Sequence, residues 1–418
     1  MVVRGWAGLN LISLKEWLAP ERLVVKTVHI DLTNSQKELL NELRSYFSAL
    51  MTTERRESLK GGEAGGEAFR ALIRQIGADG WLGVGWPVEY GGHGRTPLEQ
   101  YIFFDEANRA GVPLPLVTLN TVGPTLMAYG TDEQRDYFLP KILAGELHFA
   151  IGYSEPGAGT DLASLRTRAV RDGDEYVING QKIWTTGGHD ADWVWLACRT
   201  DFDAPKHKGL SIILVPTTSP GFKHSPIWVL GGGHTNATFY EDVRVPLTNV
   251  VLEENAGWKL ITSQLNHERV ALGPAGRLER PYEAVLQWAR ETKQNGAKRV
   301  IDTEWVQVSL ARVAATIATL RLLNWKAATA IDAGDPNPAT ASAMKIFGTE
   351  QQVQCLRILM DVVGESAKLK DDSPGSALYG ELEHAYRQAP VGTFGGGVNE
   401  VQREIIQMAG LGMPRAPR

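Results

Sequence analysis

The chain changes texture twice, and that limits what it can fold into more than any other feature. From Thr33 onward apolar residues recur at helical spacing. Leu39, Leu40, Leu43, Phe47 and Leu50 mark one face behind a Thr33/Gln36 capping box. A second helix is expected over 68–77, and helical patterns resume over 97–110 and over 121–144, with a break at Gly130. From Phe149 to about Val250 short β-branched runs alternate with turns: Tyr176 to Ile178, Trp193 to Arg199, Leu210 to Val215 and Thr238 to Val243. Helical periodicity then returns over 258–272, 281–293, 303–333, 338–363 and 399–409. The expectation is an α+β fold: a helical domain over 31–148, a small β domain over 149–252 and a helical domain over 253–418. Residues 1–30 read as a poorly ordered extension. Their uncharged run from Gly5 to Leu14 makes a poor signal peptide.

The stretch from Phe149 to Gly188 carries the chemistry. Tyr153-Ser154-Glu155-Pro156-Gly157-Ala158-Gly159-Thr160-Asp161 turns at Pro156, Gly157 and Gly159, where backbone can approach a ligand closely. Ser154 and Thr160 place hydroxyls on either side of that turn, and bare amides there can take phosphate oxygens. Tyr176-Val177-Ile178, Asn179-Gly180 and Gln181 to Thr186 read as a hairpin with a two-residue turn, delivering Trp184 and Thr186 to the same neighbourhood. An aromatic plane, hydroxyls and open amides together suit a flat cofactor with a pyrophosphate.

Composition narrows the class. With 418 residues there is room for two or three structural units. A net charge of −5 with scattered Lys and Arg argues against nucleic acid. Cys198 and Cys355 are the only cysteines, show no metal spacing and fit a reducing cytoplasm. No run approaches membrane-spanning length.

Ser-Glu-Pro-Gly-Ala-Gly-Thr-Asp from Ser154, followed in register by Asn179-Gly-x-Lys-x-Trp-Thr-Thr-Gly, closely resembles the acyl-CoA dehydrogenase family. The turn-rich loop from Trp81 to Gly92 resembles it too, and the likeness runs over nearly the whole chain from residue 31. It implies an N-terminal helical domain, a small central β-barrel or sandwich and a C-terminal four-helix bundle. FAD is the implied cofactor, acyl-CoA the substrate and an electron-transfer flavoprotein the acceptor. Tyr153, Ser154, Thr160, Trp184 and Thr186 are the implied flavin contacts: Thr186 near N5, Ser154 near the pyrimidine edge, Trp184 beside the ring and Thr160 at the pyrophosphate.

The family's usual base is a Glu in a loop before the last helix, and registering on Gln402-Arg403 puts Gly396 there. Other members carry the base within a Leu-x-x-Glu-Arg stretch, which this chain has as Leu265 to Arg269. Glu268 is therefore the expected base, with Arg269 placed to tune or orient it. Glu400 is the runner-up, and His267 reads as a packing or surface residue.

Family homomers complete each flavin site with an Arg-x-x-Phe-Gly turn and a Gln-x-x-Gly-Gly stretch from a neighbouring subunit. Here the corresponding residues are Thr292 to Gly296, lacking the Arg and Phe, and Asp361 to Glu365, with carboxylates where a pyrophosphate would be repelled. Val398 also stands where a Thr is usual. Actinobacterial steroid-degrading members pair unlike chains as two-plus-two heterotetramers. Leu265 to Leu272, Ile301 to Trp305 and Thr393 to Gly397 resemble their base-bearing subunit. Three alternatives remain open: a non-catalytic partner subunit, a homotetramer acting on branched or medium fatty acyl-CoA, and an acyl-CoA oxidase.

Overall fold

The structure, a computed structural model, describes residues 30–60, 65–267, 273–294, 296, 298–335, 337–371 and 373–414, with the side chains of 265–267 excepted. The extension expected over 1–30 lies outside the described residues but for Ile30. The chain divides into two compact units, Met1–Glu38 and Leu39–Arg418. In the first, Thr33 and Gln36 form the expected capping box: Thr33 N–H donates to Gln36 Oε1 at 2.9 Å and Gln36 N–H to Thr33 Oγ1 at 3.3 Å. It opens α1 (Asn34–Leu50).

In the second unit, Leu39, Leu43 and Phe47 are the buried residues of α1. Two helices come next, α2 (Thr53–Leu59) and α3 (Glu67–Ala78), the latter burying Phe69, Leu72, Ile73 and Ile76. Thr96 and Glu99 form a capping box at the start of α4 (Pro97–Ala110), which ends at Gly111 in the left-handed conformation. A π-helical turn, Val117–Val122, leads into α5 (Gly123–Tyr129) and α6 (Asp132–Leu143). The Thr118 hydroxyl of that turn accepts the backbone N–H of Phe149 at 2.9 Å and so ties the helices to the first strand.

The central region is one seven-stranded sheet. Its strands are β1 (Phe149–Gly152), β2 (Arg168–Asp172), β3 (Glu175–Lys182), β4 (Trp193–Arg199), β5 (Leu210–Pro216), β6 (Phe222–Trp228) and β7 (His234–Pro246). The order is β1-β4-β2-β3-β7-β6, with β5 paired to β4. β4 and β5 are buried almost end to end rather than on alternate residues, as strands covered on both faces are. Tyr176, Ile178, Val194, Leu196, Val243 and Val245 fill the core.

One expectation needs correction. Asn179-Gly180 is not a hairpin turn: β3 runs straight through it and pairs with β7, with the register shifting between Ile178 and Gly180. A bulge forms because Asn179 is held by Asp242, which accepts from the Asn179 amide at 2.9 Å and donates its backbone N–H to Asn179 Oδ1 at 3.1 Å. The reversal between β2 and β3 instead falls at Gly173, at φ 62°.

After α7 (Gly257–His267), the helices α8 (Gly276–Glu291), α9 (Glu304–Asp332) and α10 (Pro338–Val363) share a core that includes Leu278, Val285, Val313, Ile317, Leu356 and Leu359. α8 begins five residues ahead of Pro281, where the sequence pattern had started it. Its first turn is pinned by the Gly276 N–H donating to Asp105 Oδ1 on α4 at 2.8 Å. A side chain at Gly276 would meet the Asp105 carbonyl at 2.2 Å, so no N-cap side chain announces this start. A two-stranded ribbon, β8 (Lys293–Gln294) and β9 (Lys298–Arg299), links α8 to α9. α9 is long and apolar enough to cross a membrane by length and composition, contrary to the sequence expectation. Its Val306, Leu310, Val313, Ile317 and Leu320 are buried at alternating four- and three-residue spacing, the signature of a bundle helix. Short α-helices follow, α11 (Glu381–Gln388), α12 (Val391–Phe394) and α13 (Asn399–Ile405), the last running into a π-helical turn, Ile406–Gly410.

Candidate functional site

The segments leaving β1 and β3 lie side by side. Ile183 N–H donates to the Ser154 carbonyl at 2.9 Å, which sets Ser154 beside Trp184. The turn after Ser154 is closed by reciprocal bonds between the backbones of Glu155 and Ala158, at 2.9 and 3.1 Å. At Gly157 and Gly159 nothing lies within 4 Å of where a side chain would begin, so the backbone faces open space. Among the described residues the hydroxyls of half-buried Ser154 and exposed Thr160 have no hydrogen-bond partner. Trp184 is 55% exposed and sits at φ 60°. A bulky residue in left-handed backbone costs energy and commonly marks a functional position. Thr186, also exposed, has its hydroxyl 3.1 Å from that of Thr235. Ser154 and Trp184 are thus neighbours, Thr160 follows on the same turn as Ser154, and the Thr186 N–H is bonded to the Trp184 carbonyl at 3.0 Å.

Behind them lies a pair that sequence reasoning missed. Lys182 has a fully buried side chain whose ammonium donates to Glu155 Oε1 at 2.8 Å and to the Tyr153 carbonyl at 3.0 Å. The same carboxylate accepts the backbone N–H groups of Arg166 and Thr167, each at 2.7 Å. Burial pushes the Glu155 carboxyl up, but the Lys182 charge and these hydrogen bonds outweigh it and hold it below the usual carboxylate range. Three chain segments are thereby fixed behind Ser154 and Trp184. The signal available in the sequence was Lys182 itself, a cation in a strand that is otherwise buried on that face.

Tyr153, the fifth expected cofactor residue, has its hydroxyl committed elsewhere. It accepts from Trp195 Nε1 at 3.1 Å and donates to Gln264 Oε1 on α7.

Glu268 and Arg269 lie outside the described residues. The segment on their C-terminal side is firmly anchored. The Gly273 carbonyl accepts from the buried Asn324 amide of α9 at 2.8 Å, and a side chain at Gly348 of α10 would come within 3.3 Å of Gly273 Cα. One turn earlier on α10, buried Lys345 donates to the Gly397 carbonyl at 2.5 Å and to Asn399 Oδ1 at 2.8 Å. One stretch of α10 thus touches both the segment after Glu268 and the loop holding Gly396. Gly396 has φ 66°, a conformation that L side chains rarely adopt. Glu400 is exposed on the first turn of α13. Asp361 and Glu365 are exposed at the end of α10, and Thr292 to Gly296 belong to the exposed β8–β9 ribbon apart from half-buried Thr292, Asn295 lying outside the described residues.

Three domain families match the chain in sequence: acyl-CoA dehydrogenase N-terminal domain at residues 33–146, middle domain at 150–243 and C-terminal domain at 255–411. The chain belongs to the acyl-CoA dehydrogenase family. It is thus similar to oxidoreductases acting on the CH–CH bond of acyl-CoA, a family of flavoproteins. It is 55% identical over 401 residues to the acyl-CoA dehydrogenase FadE26 of Mycobacterium tuberculosis, covering 94% of this chain and 100% of the relative. It is 27% identical over 387 residues to mitochondrial isovaleryl-CoA dehydrogenase of Pongo abelii, covering 90% and 89%. Among solved structures, a chain of the ChsE4-ChsE5 complex from Mycobacterium tuberculosis superposes with TM-score 0.88 at 55% identity, covering 93% and 100%. A chain of the Tcur3481-Tcur3483 steroid acyl-CoA dehydrogenase does so with TM-score 0.87 at 53% identity, covering 92% and 99%.

The acyl-CoA dehydrogenase residues gathered here suit a flavin. An exposed indole stands beside a free Ser hydroxyl, and the backbone at Gly157 and Gly159 is open to a phosphate-bearing chain.

Proposed function

We propose that this chain is the base-bearing subunit of a two-plus-two heteromeric, FAD-dependent dehydrogenase acting on a bulky acyl-CoA such as a steroid side-chain thioester. In this reading Glu268 removes the α proton of the thioester. FAD, when bound, would supply the acceptor for the β hydride; the product would be the trans-2-enoyl-CoA and an electron-transfer flavoprotein would take the electrons. Ser154 and Thr186 would donate hydrogen bonds to the ring, so that negative charge gained on reduction would be stabilised. Trp184 would stand beside the ring, Thr160 would hold the pyrophosphate and Arg269 would orient the base. The buried Glu155–Lys182 pair keeps the Ser154 and Trp184 segments in register.

The observation that carries the reading is an asymmetry. The residues that would hold flavin within this chain are present and clustered, while those that would serve a neighbour's flavin are replaced at Thr292, Asp361 and Glu365. A second, unlike chain would supply what is missing, as the likeness to a chain of the ChsE4-ChsE5 complex also suggests. Gly396 leaves room beside the acyl site for a ring system. The unpaired, buried thiols of Cys198 and Cys355 suit a reducing cytoplasm.

The test is flavin absorbance of the chain purified alone and after co-expression with a homologous acyl-CoA dehydrogenase subunit, followed by steroid-CoA and fatty acyl-CoA substrates. Flavin found only in the complex, reduced faster by steroid-CoA, supports the reading. Full flavin in the lone chain with preference for a linear acyl-CoA favours a homotetramer instead.

A further inference from the structure

Thr186 and Thr235 share a hydrogen bond between their hydroxyls, at 3.1 Å. Their surroundings differ: Thr186 is exposed, whereas Thr235 is only 7% exposed. Each hydroxyl carries one proton and can also accept through its oxygen. With Thr186 as the donor, the Thr235 proton would be buried with no second partner among the described residues. A buried donor without an acceptor gives up its hydration for nothing in return. With Thr235 as the donor, its proton is used and that of Thr186 is left on the exposed side. Hydrogen-bond accounting therefore makes Thr235 the donor.

Backbone contacts fix this pairing. Thr235 lies in β7, opposite Ile227 of β6. Next to it, Asn236 grips Thr185 twice: its carbonyl accepts the Thr185 N–H at 2.9 Å, and its side-chain amide donates to the Thr185 carbonyl at 3.2 Å. The Thr185 hydroxyl is itself buried, 3.3 Å from that of Thr238. Thr185 is thus committed to the sheet, and of the two adjacent threonines only Thr186 is open to a ligand, beside exposed Trp184. We propose that Thr235 is a positioning residue for the cofactor: its hydroxyl donates to Thr186 and so directs the single Thr186 proton to an acceptor atom of the flavin ring. This rests on the function proposed above, in which Thr186 meets the ring. Thr235 itself touches no ligand. Without its proton the Thr186 hydroxyl is no longer held as a donor toward the open side.

The experiment uses the complex with its partner subunit and reads two quantities. One is the dissociation constant of FAD, by fluorescence titration of the flavin-free complex; the other is the absorbance spectrum of the bound flavin. The proteins are wild type, Thr235→Val, Thr235→Ser, Thr186→Ala and the double variant Thr186→Ala/Thr235→Val. Thr235→Val keeps the shape and removes the donor. It should weaken FAD about three- to tenfold, up to the worth of one hydrogen bond, and shift the flavin spectrum in the same direction as Thr186→Ala. Thr235→Ser should restore both. In the Thr186→Ala background, Thr235→Val should weaken FAD by less than about twofold more, because Thr235 acts through Thr186. Affinity and spectrum of Thr235→Val matching wild type overturn the proposal. Equal weakening in both backgrounds overturns it too, since it marks a structural effect alone. Thr235→Ala takes the place of Thr235→Val if the latter does not assemble. A complex that binds FAD but is reduced by no acyl-CoA fails the functional reading instead, and the titration still decides the role of Thr235.

Discussion

Lys182 Nζ lies 2.8 Å from Glu155 Oε1, with both side chains buried. The two residues join the ends of β1 and β3 at the point where Ser154 and Trp184 emerge. Removing one partner of a buried ion pair strands the other charge and costs about 3–5 kcal/mol. Lys182→Met should therefore lower unfolding free energy by that amount in urea melts. It should also reduce flavin retained through gel filtration, because the Ser154 turn loses its anchor. A variant equally stable and fully flavinated would show that the backbone bonds to Arg166 and Thr167 suffice.

Glu268→Gln should retain flavin and lose at least about a thousandfold in the rate of flavin reduction by substrate, within the range that a positioned base contributes. Placing a carboxylate at the family's other position should not rescue it. Gly396 has φ 66°, so Gly396→Glu would strain a loop already held by Lys345 at Gly397. Stopped-flow reduction of the single and double variants checks both statements. Normal reduction in Glu268→Gln would remove that residue from the mechanism.

Two buried groups pull stability in opposite directions with pH. Among the described residues neither ring nitrogen of His148 has a hydrogen-bond partner, and the ring packs on Phe69, with Arg70, Arg74, Asp190 and Asp192 around it. Burial pushes its pKa down from 6.5 to about 4. Between those values the unfolded chain holds the extra proton, so the folded state gains about 3 kcal/mol as pH rises. Burial pushes Asp105 the other way, from 3.8 to about 6. There the folded chain holds the extra proton, and about 3 kcal/mol is lost as pH rises. The two terms largely cancel in the wild type. His148→Phe should expose a stability that falls from pH 4 to 6, and Asp105→Asn one that rises, in thermal melts across that range. Parallel profiles in all three proteins would refute the assignment.

Much of this molecule was legible in its sequence because long helices carry redundant periodic signals. The Thr33/Gln36 box, the apolar face of α1 and the extents of α9 and α10 all come from local rules. The failures share a cause: long-range contact overrode local preference. Asn179-Gly180 has the composition of a hairpin turn, yet Asp242 from a strand more than sixty residues away holds it as a bulge. The start of α8 is set by Asp105 across the fold rather than by a cap of its own. Around the candidate site, Ser154, Trp184 and Thr186 were readable from their motif. The Glu155–Lys182 pair was not, because it depends on two segments 27 residues apart meeting in a buried contact.

Gly180 offers the sharpest test of that coupling. Its φ is 152°, and a side chain there would lie 2.5 Å from Thr167 Oγ1 and 2.7 Å from Thr167 Cα. Thr167 cannot yield freely, since its N–H is bound to Glu155. Gly180→Ala should therefore cost about 1–3 kcal/mol, as overpacking does. It should also push Thr167 against the carboxylate that Lys182 holds. The expected result is a lower melting temperature together with weaker FAD affinity, although residue 180 is not itself one of the proposed flavin contacts. Gly173→Ala, also at positive φ but with nothing within 4 Å of the added carbon, is the control: it should lower stability alone. Equal loss of FAD affinity in both variants would mean that the effect is general destabilisation, and that the bulge does not hold the site in place.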